Sequence, residues 1–212
     1  MIAVIDYGMG NLRSVEKALQ VAGARTKVTS DPKDLKKAEK IVFPGVGSFG
    51  DAMRELKKLG LIAPLKDAIA EGKPFLGLCL GLQLLFEKSE EAPGVKGLCV
   101  LKGEVKRFKF TNDERRTTND ALKVPHMGWN TIGCKVQGAR RKVLKGIPND
   151  AYMYFVHSYY AKPADKKVIL TTTDYGMKFA SGICKDNVYA LQFHPEKSQA
   201  LGLKILKNFV AL

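Results

Sequence analysis

The chain has 212 residues, of which 45% are hydrophobic and 26% charged. Those proportions exclude wholesale disorder and supply one substantial core, with ~70% of the unfolded surface buried on folding. Thirty-five Lys and Arg against 21 Asp and Glu leave a net charge of +14, a surplus that raises nucleic acid, an anionic membrane or an acidic protein as partners.

In chain order, residues 2–6 read as a short buried strand. Asp6 stops it too early for a secretion signal, and no later run approaches the ~18 apolar residues that span a bilayer. Asn11 is placed to cap a helix carrying Leu12, Val15, Leu19 and Ala22 on one face, closed by Gly23. Residues 25–30 form a second strand, followed by a lysine-rich amphipathic segment over 31–39. A third strand, 41–43, ends at Pro44-Gly45-Val46-Gly47, and Ser48 caps a helix with Phe49, Met53 and Leu56 along one side. A helix over 61–71 leads to the strand 75–78. Strands separated by helices in this way predict right-handed βαβ units and a parallel sheet.

After about Cys99 the texture changes. Short β-rich stretches (99–101, 105–110, 152–160, 168–174, 179–184 and 188–193) predict antiparallel strands added to the same sheet. Residues 198–210 form a helix with Leu201, Ile205, Leu206 and Phe209 inward, and the polar stretch 111–121 reads as a surface loop. The expected fold is α/β: a flavodoxin-like, mostly parallel central sheet flanked by helices, with antiparallel strands in the second half, as one domain over residues 1–212. Cys79, Cys99, Cys134 and Cys184 show no metal-ligand or redox spacing. No metal site and no disulfide framework are expected, and the reducing cytoplasm is the expected compartment. Apart from Cys79, the thiols read as small core residues.

Cys79 is set apart by its corner. The apolar strand Phe75-Leu76-Gly77-Leu78 runs straight into Cys79-Leu80-Gly81-Leu82-Gln83, giving the small-x-nucleophile-x-small spacing of a nucleophile elbow. A helix starting at Cys79 favours a thiolate there, and it leaves the Leu80 N–H free to meet an oxyanion. The competing reading is a buried small residue in a glycine-rich turn. His194 is the matching base, at the end of an apolar strand in Gln192-Phe193-His194-Pro195-Glu196. Pro195 keeps His194 extended, and Glu196, two residues on, reaches its Nδ1 and leaves Nε2 as the base. His126 and His157 lack a carboxylate at that spacing.

The Cys79, His194, Glu196 set resembles the triad of the glutamine amidotransferases with a cysteine nucleophile at a sheet elbow. The motifs Asp6-Tyr7-Gly8-Met9-Gly10-Asn11, Pro44-Gly45-Val46-Gly47-Ser48-Phe49, Pro125-His126-Met127-Gly128-Trp129-Asn130, Tyr154-Phe155-Val156-His157-Ser158-Tyr159 and His194-Pro195-Glu196-Lys197-Ser198 occur in order. Together they resemble the glutaminase subunits of imidazole glycerol phosphate synthase along essentially the whole chain. The resemblance implies glutamine hydrolysis through a cysteinyl thioester in histidine biosynthesis, with no cofactor. Besides Leu80 it implies a second oxyanion amide within Gly45-Val46-Gly47, and the flexible Gly-x-Gly there suggests that the conformation of the Val46-Gly47 peptide switches activity. It implies glutamine contacts from Gly47, Gln83, Glu91 and the Ser158-Tyr159 backbone, with His157 packed beside that pocket. Gln83 and Glu91 also read as solvated positions, Glu91 as half of an acidic pair with Glu90.

The implied partner is a (βα)8-barrel cyclase in a heterodimer, contacted through Asn11, Met127, Trp129 and Lys197. Trp129 on its own reads equally as core. Two other functions compete. A glutaminase of another synthase, such as that of pyridoxal phosphate, shares the triad, but the motifs around Tyr7, Trp129 and Lys197 speak against it. A nucleic-acid-binding protein has the net charge as its only support, without a recognition motif. Gly8-Met9-Gly10 after the first strand lacks the third glycine of a dinucleotide fingerprint, Arg13 standing in its place.

Overall fold

A computed structural model of the chain describes residues 1–110, 122–134 and 142–212; the stretch 111–121, expected as a surface loop, lies outside them. Five parallel strands make the centre. β1 (Ile2–Ile5) lies between β2 (Thr26–Thr29) and β3 (Lys40–Phe43), and β4 (Phe75–Leu78) pairs with β3 on one side. On the other side of β4 lies β12 (Val188–Leu191), also parallel. The order β2-β1-β3-β4-β12 is that of doubly wound flavodoxin-like sheets, with its fifth strand drawn from the far end of the chain.

Alternation along these strands sorts the core into two layers. Ala3, Ile5, Ile41, Phe43 and Phe75 face α2 (Pro32–Lys37), α3 (Phe49–Lys58) and α4 (Ile62–Ala70), which contribute Leu35, Phe49, Leu56 and Leu65. Ile2, Val4, Val42, Leu76 and Leu191 face α1 (Leu12–Val21) and α6 (Gln199–Val210), which contribute Val15, Leu19, Ile205, Leu206 and Phe209. The period of two in the strands and of 3.6 in the helices meet in these layers. Ser48 caps α3 as expected, its hydroxyl accepting from the Asp51 N–H. Asn11 precedes α1 but makes no side-chain cap bond, its backbone (φ −86°, ψ 62°) lying outside the extended region usual for a cap.

The second half adds antiparallel strands beyond β12. β11 (Lys178–Lys185), β10 (Ile169–Asp174), β7 (His126–Cys134) and β8 (Ala151–His157) come next in that order. β9 (Tyr159–Pro163) joins β11 to β6 (Gly103–Arg107), which pairs with the two-residue β5 (Lys88–Ser89). The stretch expected as one strand over 152–160 is thus two, broken at Ser158, because β8 and β9 serve different partners. Residues 99–101 form no strand. They fold back over the buried Leu84, Leu85 and Phe86, with Val100 and Leu101 N–H both donating to the Leu85 carbonyl. That turn leaves Cys99 exposed, at φ 55°, so it is not the core residue expected; Cys184 is buried and Cys134 half-buried. The helix following Cys79 is a single turn, α5 (Leu80–Gln83). Among the described residues no helix is long and apolar enough to cross a membrane.

Candidate active site

The carboxyl ends of β4 and β12 lie side by side, with Leu78 paired to Leu191. The residues after the two strands therefore meet above the sheet edge, where open α/β sheets place their ligands. Cys79 takes the corner after β4 with φ 52° and ψ −105°, a conformation that costs a non-glycine residue about 1–3 kcal/mol and persists only where its surroundings impose it. The flanking glycines are part of that imposition. A Cβ on Gly81 would be driven into the Phe43 carbonyl, and one on Gly77 would come within 2.9 Å of the Gly81 carbonyl oxygen. The Cys79 N–H donates to the Leu191 carbonyl at 2.7 Å, tying the corner to the neighbouring strand.

His194 lies just beyond β12, with its N–H donating to the Tyr154 carbonyl at 2.9 Å. Its backbone (φ −100°, ψ 94°) is extended, as expected before a proline. Glu196 arrives differently from the sequence expectation. Pro195–Lys197 is a 3-10 turn, not a continued extended chain, because proline suits the first position of a helical turn. The turn brings Glu196 Oε1 to 2.8 Å from His194 Nδ1. Both side chains are nearly inaccessible, while His194 Nε2 is buried without a hydrogen-bond partner among the described residues. Burial works against charge on His194, but the neighbouring Cys79 and Glu196 outweigh it and push its pKa up to about 10.

A cavity of about 350 Å³ opens over this corner, within the size range of small-molecule sites. It brings together Cys79, Leu80 and Gln83 from the elbow, Val46 and Gly47 from the loop after β3, Glu91, Ser158 and Tyr159, and His194. His157 lines it too, as expected. Gln83 is buried, its Nε2 donating to the Tyr159 carbonyl at 3.0 Å, so the solvated alternative does not hold. Glu91 is half-buried, with Oε2 accepting from the Phe49 N–H at 2.8 Å. Val46 and Gly47 are exposed, Gly47 at φ 95°, a conformation suited to glycine. The loop Gly8-Met9-Gly10 packs beneath them, with the Met9 methyl against Gly47 and the Tyr7 hydroxyl against Gly45. Tyr7 is fully buried and its hydroxyl has no hydrogen-bond partner among the described residues; burial first, and then the charge of Cys79, raise its pKa beyond the usual range.

Trp129 and Met127 project from β7 and are 46% and 62% exposed, so the core reading of Trp129 fails. The Trp129 and Tyr154 rings meet edge to face at 6.0 Å, and the Lys197 ammonium lies 5.7 Å from the centre of the Tyr154 ring. Asn11 is exposed at the start of α1, which packs against the Pro195–Lys197 turn. His126 is buried in β7 directly across from His157. Two site features escaped the sequence reading, the buried Tyr7 hydroxyl and Gln192, whose Nε2 lies 3.7 Å from Cys79 Sγ. Only the strand register could have signalled Gln192. Among the described residues no group of three or more His, Cys, Asp or Glu could hold a metal ion.

The chain matches the family model "Glutamine amidotransferase class-I" over residues 3–212. It is 50% identical to the imidazole glycerol phosphate synthase subunit HisH of Geobacter metallireducens over 208 residues, 98% of this chain and 96% of the relative. Its identity to the protein of the same name from Aquifex aeolicus is 50% over 97% of this chain and 94% of the relative. Among solved structures it resembles a glutamine amidotransferase (TM-score 0.74, 16% identity, all of both chains) and a GMP synthase subunit from Thermoplasma acidophilum (TM-score 0.70, 18% identity, 99% and 92%). These two likenesses concern the fold.

Proposed function

The chain belongs to the class-I glutamine amidotransferases and, within them, to the HisH subunits of imidazole glycerol phosphate synthase, and on that footing we propose that Cys79, His194 and Glu196 carry out its glutamine hydrolysis. The observation that carries this reading is the meeting at one cavity of a strained cysteine corner and a histidine whose Nδ1 is held by Glu196 at 2.8 Å. The activity is that of a glutaminase in histidine biosynthesis, supplying ammonia to the synthase.

The Cys79 thiolate attacks the side-chain carboxamide carbon of glutamine. The carbonyl oxygen becomes an oxyanion held by the Leu80 N–H and by a backbone amide of Val46-Gly47. His194 protonates the departing nitrogen from Nε2, ammonia leaves and a glutamyl thioester remains. His194 then takes a proton from water, whose attack releases glutamate and regenerates Cys79. Glu196 keeps the imidazole oriented through both steps. Gly47, Gln83, Glu91 and the Ser158-Tyr159 backbone line the cavity and position the substrate. Losing one oxyanion donor costs about 3–4 kcal/mol, so the conformation of the Val46-Gly47 peptide governs the rate.

The synthase partner is a cyclase subunit. We assign it a (βα)8 barrel, in a heterodimer joined through Asn11, Met127, Trp129 and Lys197, with the chain acting as one domain in the cytoplasm. Near-full-length relatives of one name at 50% identity leave the rival synthase and the nucleic-acid reading without support. The test is glutamine hydrolysis with and without the partner and its ligand, for wild type and Cys79→Ala. The variant should lose at least about 10³-fold in kcat; hydrolysis at the wild-type rate would overturn the assignment.

A further inference from the structure

Gln192 comes directly after β12 and is fully buried, with Nε2 3.7 Å from Cys79 Sγ. The contact is a consequence of register. Leu191 pairs with Leu78, so the next residue of each strand, Gln192 and Cys79, sit together at the strand ends. The Gln192 N–H donates to the Ser181 carbonyl at 2.9 Å, which fixes its backbone.

The direction of the side-chain amide is forced by its neighbours. The Tyr159 carbonyl can only accept, so Gln83 presents Nε2 to it at 3.0 Å, and the same Nε2 donates to Gln192 Oε1 at 3.2 Å. With its oxygen engaged, Gln192 turns its amino group to the sulfur. Reversing Gln192 alone would set two amino groups against each other. Reversing both amides would set the Gln83 oxygen against the Tyr159 oxygen, which already accepts from His157 Nδ1 at 2.8 Å.

We infer that Gln192 is a further catalytic residue in glutamine hydrolysis, its locked amide N–H favouring the Cys79 thiolate over the thiol. The inference rests on Cys79 being the nucleophile. The thiol form has another partner, the Val156 carbonyl at 3.9 Å from Sγ, which accepts an S–H and offers a thiolate nothing. The site thus presents a donor to one protonation state and an acceptor to the other. Hydrogen bonds to an ionised group are the stronger kind. The donor also tempers the sulfur, because thiolate nucleophilicity falls with basicity at a slope of about 0.4–0.5. A net gain in rate therefore exists only where the thiol still predominates. The titratable groups around Cys79 are His194 with Glu196, Tyr7, His157 and Glu91; all remain in the variants below.

The experiment measures alkylation of the Cys79 peptide by iodoacetamide, read by mass spectrometry across pH, beside kcat/KM for glutamine hydrolysis. It uses the full chain with its partner, as wild type, Gln192→Met and Gln192→Glu. In Gln192→Met both rates should fall about three- to tenfold on the acid side of the Cys79 titration seen in the alkylation profile and return to wild type or above on its alkaline side. Gln192→Glu keeps an acceptor for Gln83 but turns a carboxylate towards the sulfur, so its loss on the acid side of that titration should be larger. It decides the matter alone if Gln192→Met does not fold. Profiles superimposable on wild type, or a loss uniform across pH, would overturn the proposal, the latter marking Gln192 as packing only. If Cys79→Ala hydrolysed glutamine, the nucleophile assignment itself would fail whatever Gln192 does, and the two failures are told apart by that variant.

Discussion

His126 and His157 are buried as neutral rings, and their hydrogen bonds admit one arrangement of protons. The Tyr159 carbonyl requires a proton on His157 Nδ1, so His157 Nε2 accepts from His126 Nδ1 at 3.0 Å and His126 Nε2 accepts from Asn130 Nδ2 at 3.2 Å. Charging either ring would set two N–H groups face to face. Burial lowers the pKa of His126 to about 4, and burial together with His126 lowers that of His157 to about 3. A depressed pKa of this kind leaves the fold at full stability above the ordinary value of 6.5, with stability lost as pH falls from 6.5 through about 4 and about 3. His194 contributes with the opposite sign, its stabilisation present below 6.5 and lost as pH rises through about 10. Thermal melts followed by circular dichroism should give a Tm falling steeply below about pH 6, and a shallower fall for His126→Gln/His157→Gln. Equal acid slopes for the two proteins would show that the pair does not govern acid stability. At this scale the glycine-flanked Cys79 and the His194–Glu196 pair were legible as candidates because each rests on a local spacing. Gln192 and the His126–His157 pair were not, since each is defined by what a distant strand places beside it.

The elbow is the element on which the proposed chemistry depends, and its tolerance is set by backbone rather than by side chains. The turn after β4 passes so close to the end of β3 that a Cβ on Gly81 meets the Phe43 carbonyl. A carbonyl held in a parallel sheet cannot rotate aside as a side chain can. Gly81→Ala should therefore destabilise the fold by about 1–3 kcal/mol and shift Cys79, with a loss of about 10²-fold in kcat for a displacement near 1 Å. Denaturant unfolding and steady-state glutaminase assays measure the two effects. A variant that unfolds at the wild-type midpoint and keeps its kcat would show that the corner does not need the glycine. The βα half of the fold was legible because its central strands β1, β3 and β4 are almost wholly apolar and its helices carry one apolar stripe. β7 escaped because Met127 and Trp129 face outward and the strand is mostly half-buried, so no run of apolar residues marks it. The break at Ser158 escaped because local composition carries no record of which partner each half of a continuous β-rich stretch will find.

At the scale of the molecule, the +14 charge and the exposed aromatic face ask to be read together. Trp129, Met127 and Tyr152 stand 46%, 62% and 61% exposed on neighbouring strands, with Lys197 close by over Tyr154. Exposed Trp and Tyr of this kind are enriched among interface hot spots. Among the described residues no lysine or arginine lines the cavity of the proposed chemistry. Residues 102–145 carry 12 basic and four acidic residues, and much of that stretch lies outside the described residues, which leaves its role to be read from kinetics. If the surplus steers an acidic partner, the association rate should fall by about tenfold or more between low and physiological salt while the dissociation rate barely changes. Trp129→Ala should act on the other rate, speeding dissociation by a factor equivalent to about 2 kcal/mol and leaving the salt dependence intact. Surface plasmon resonance across ionic strength separates the two. An association rate independent of salt would mean that the excess lysines are a solvated surface and that recognition rests on the aromatic face alone.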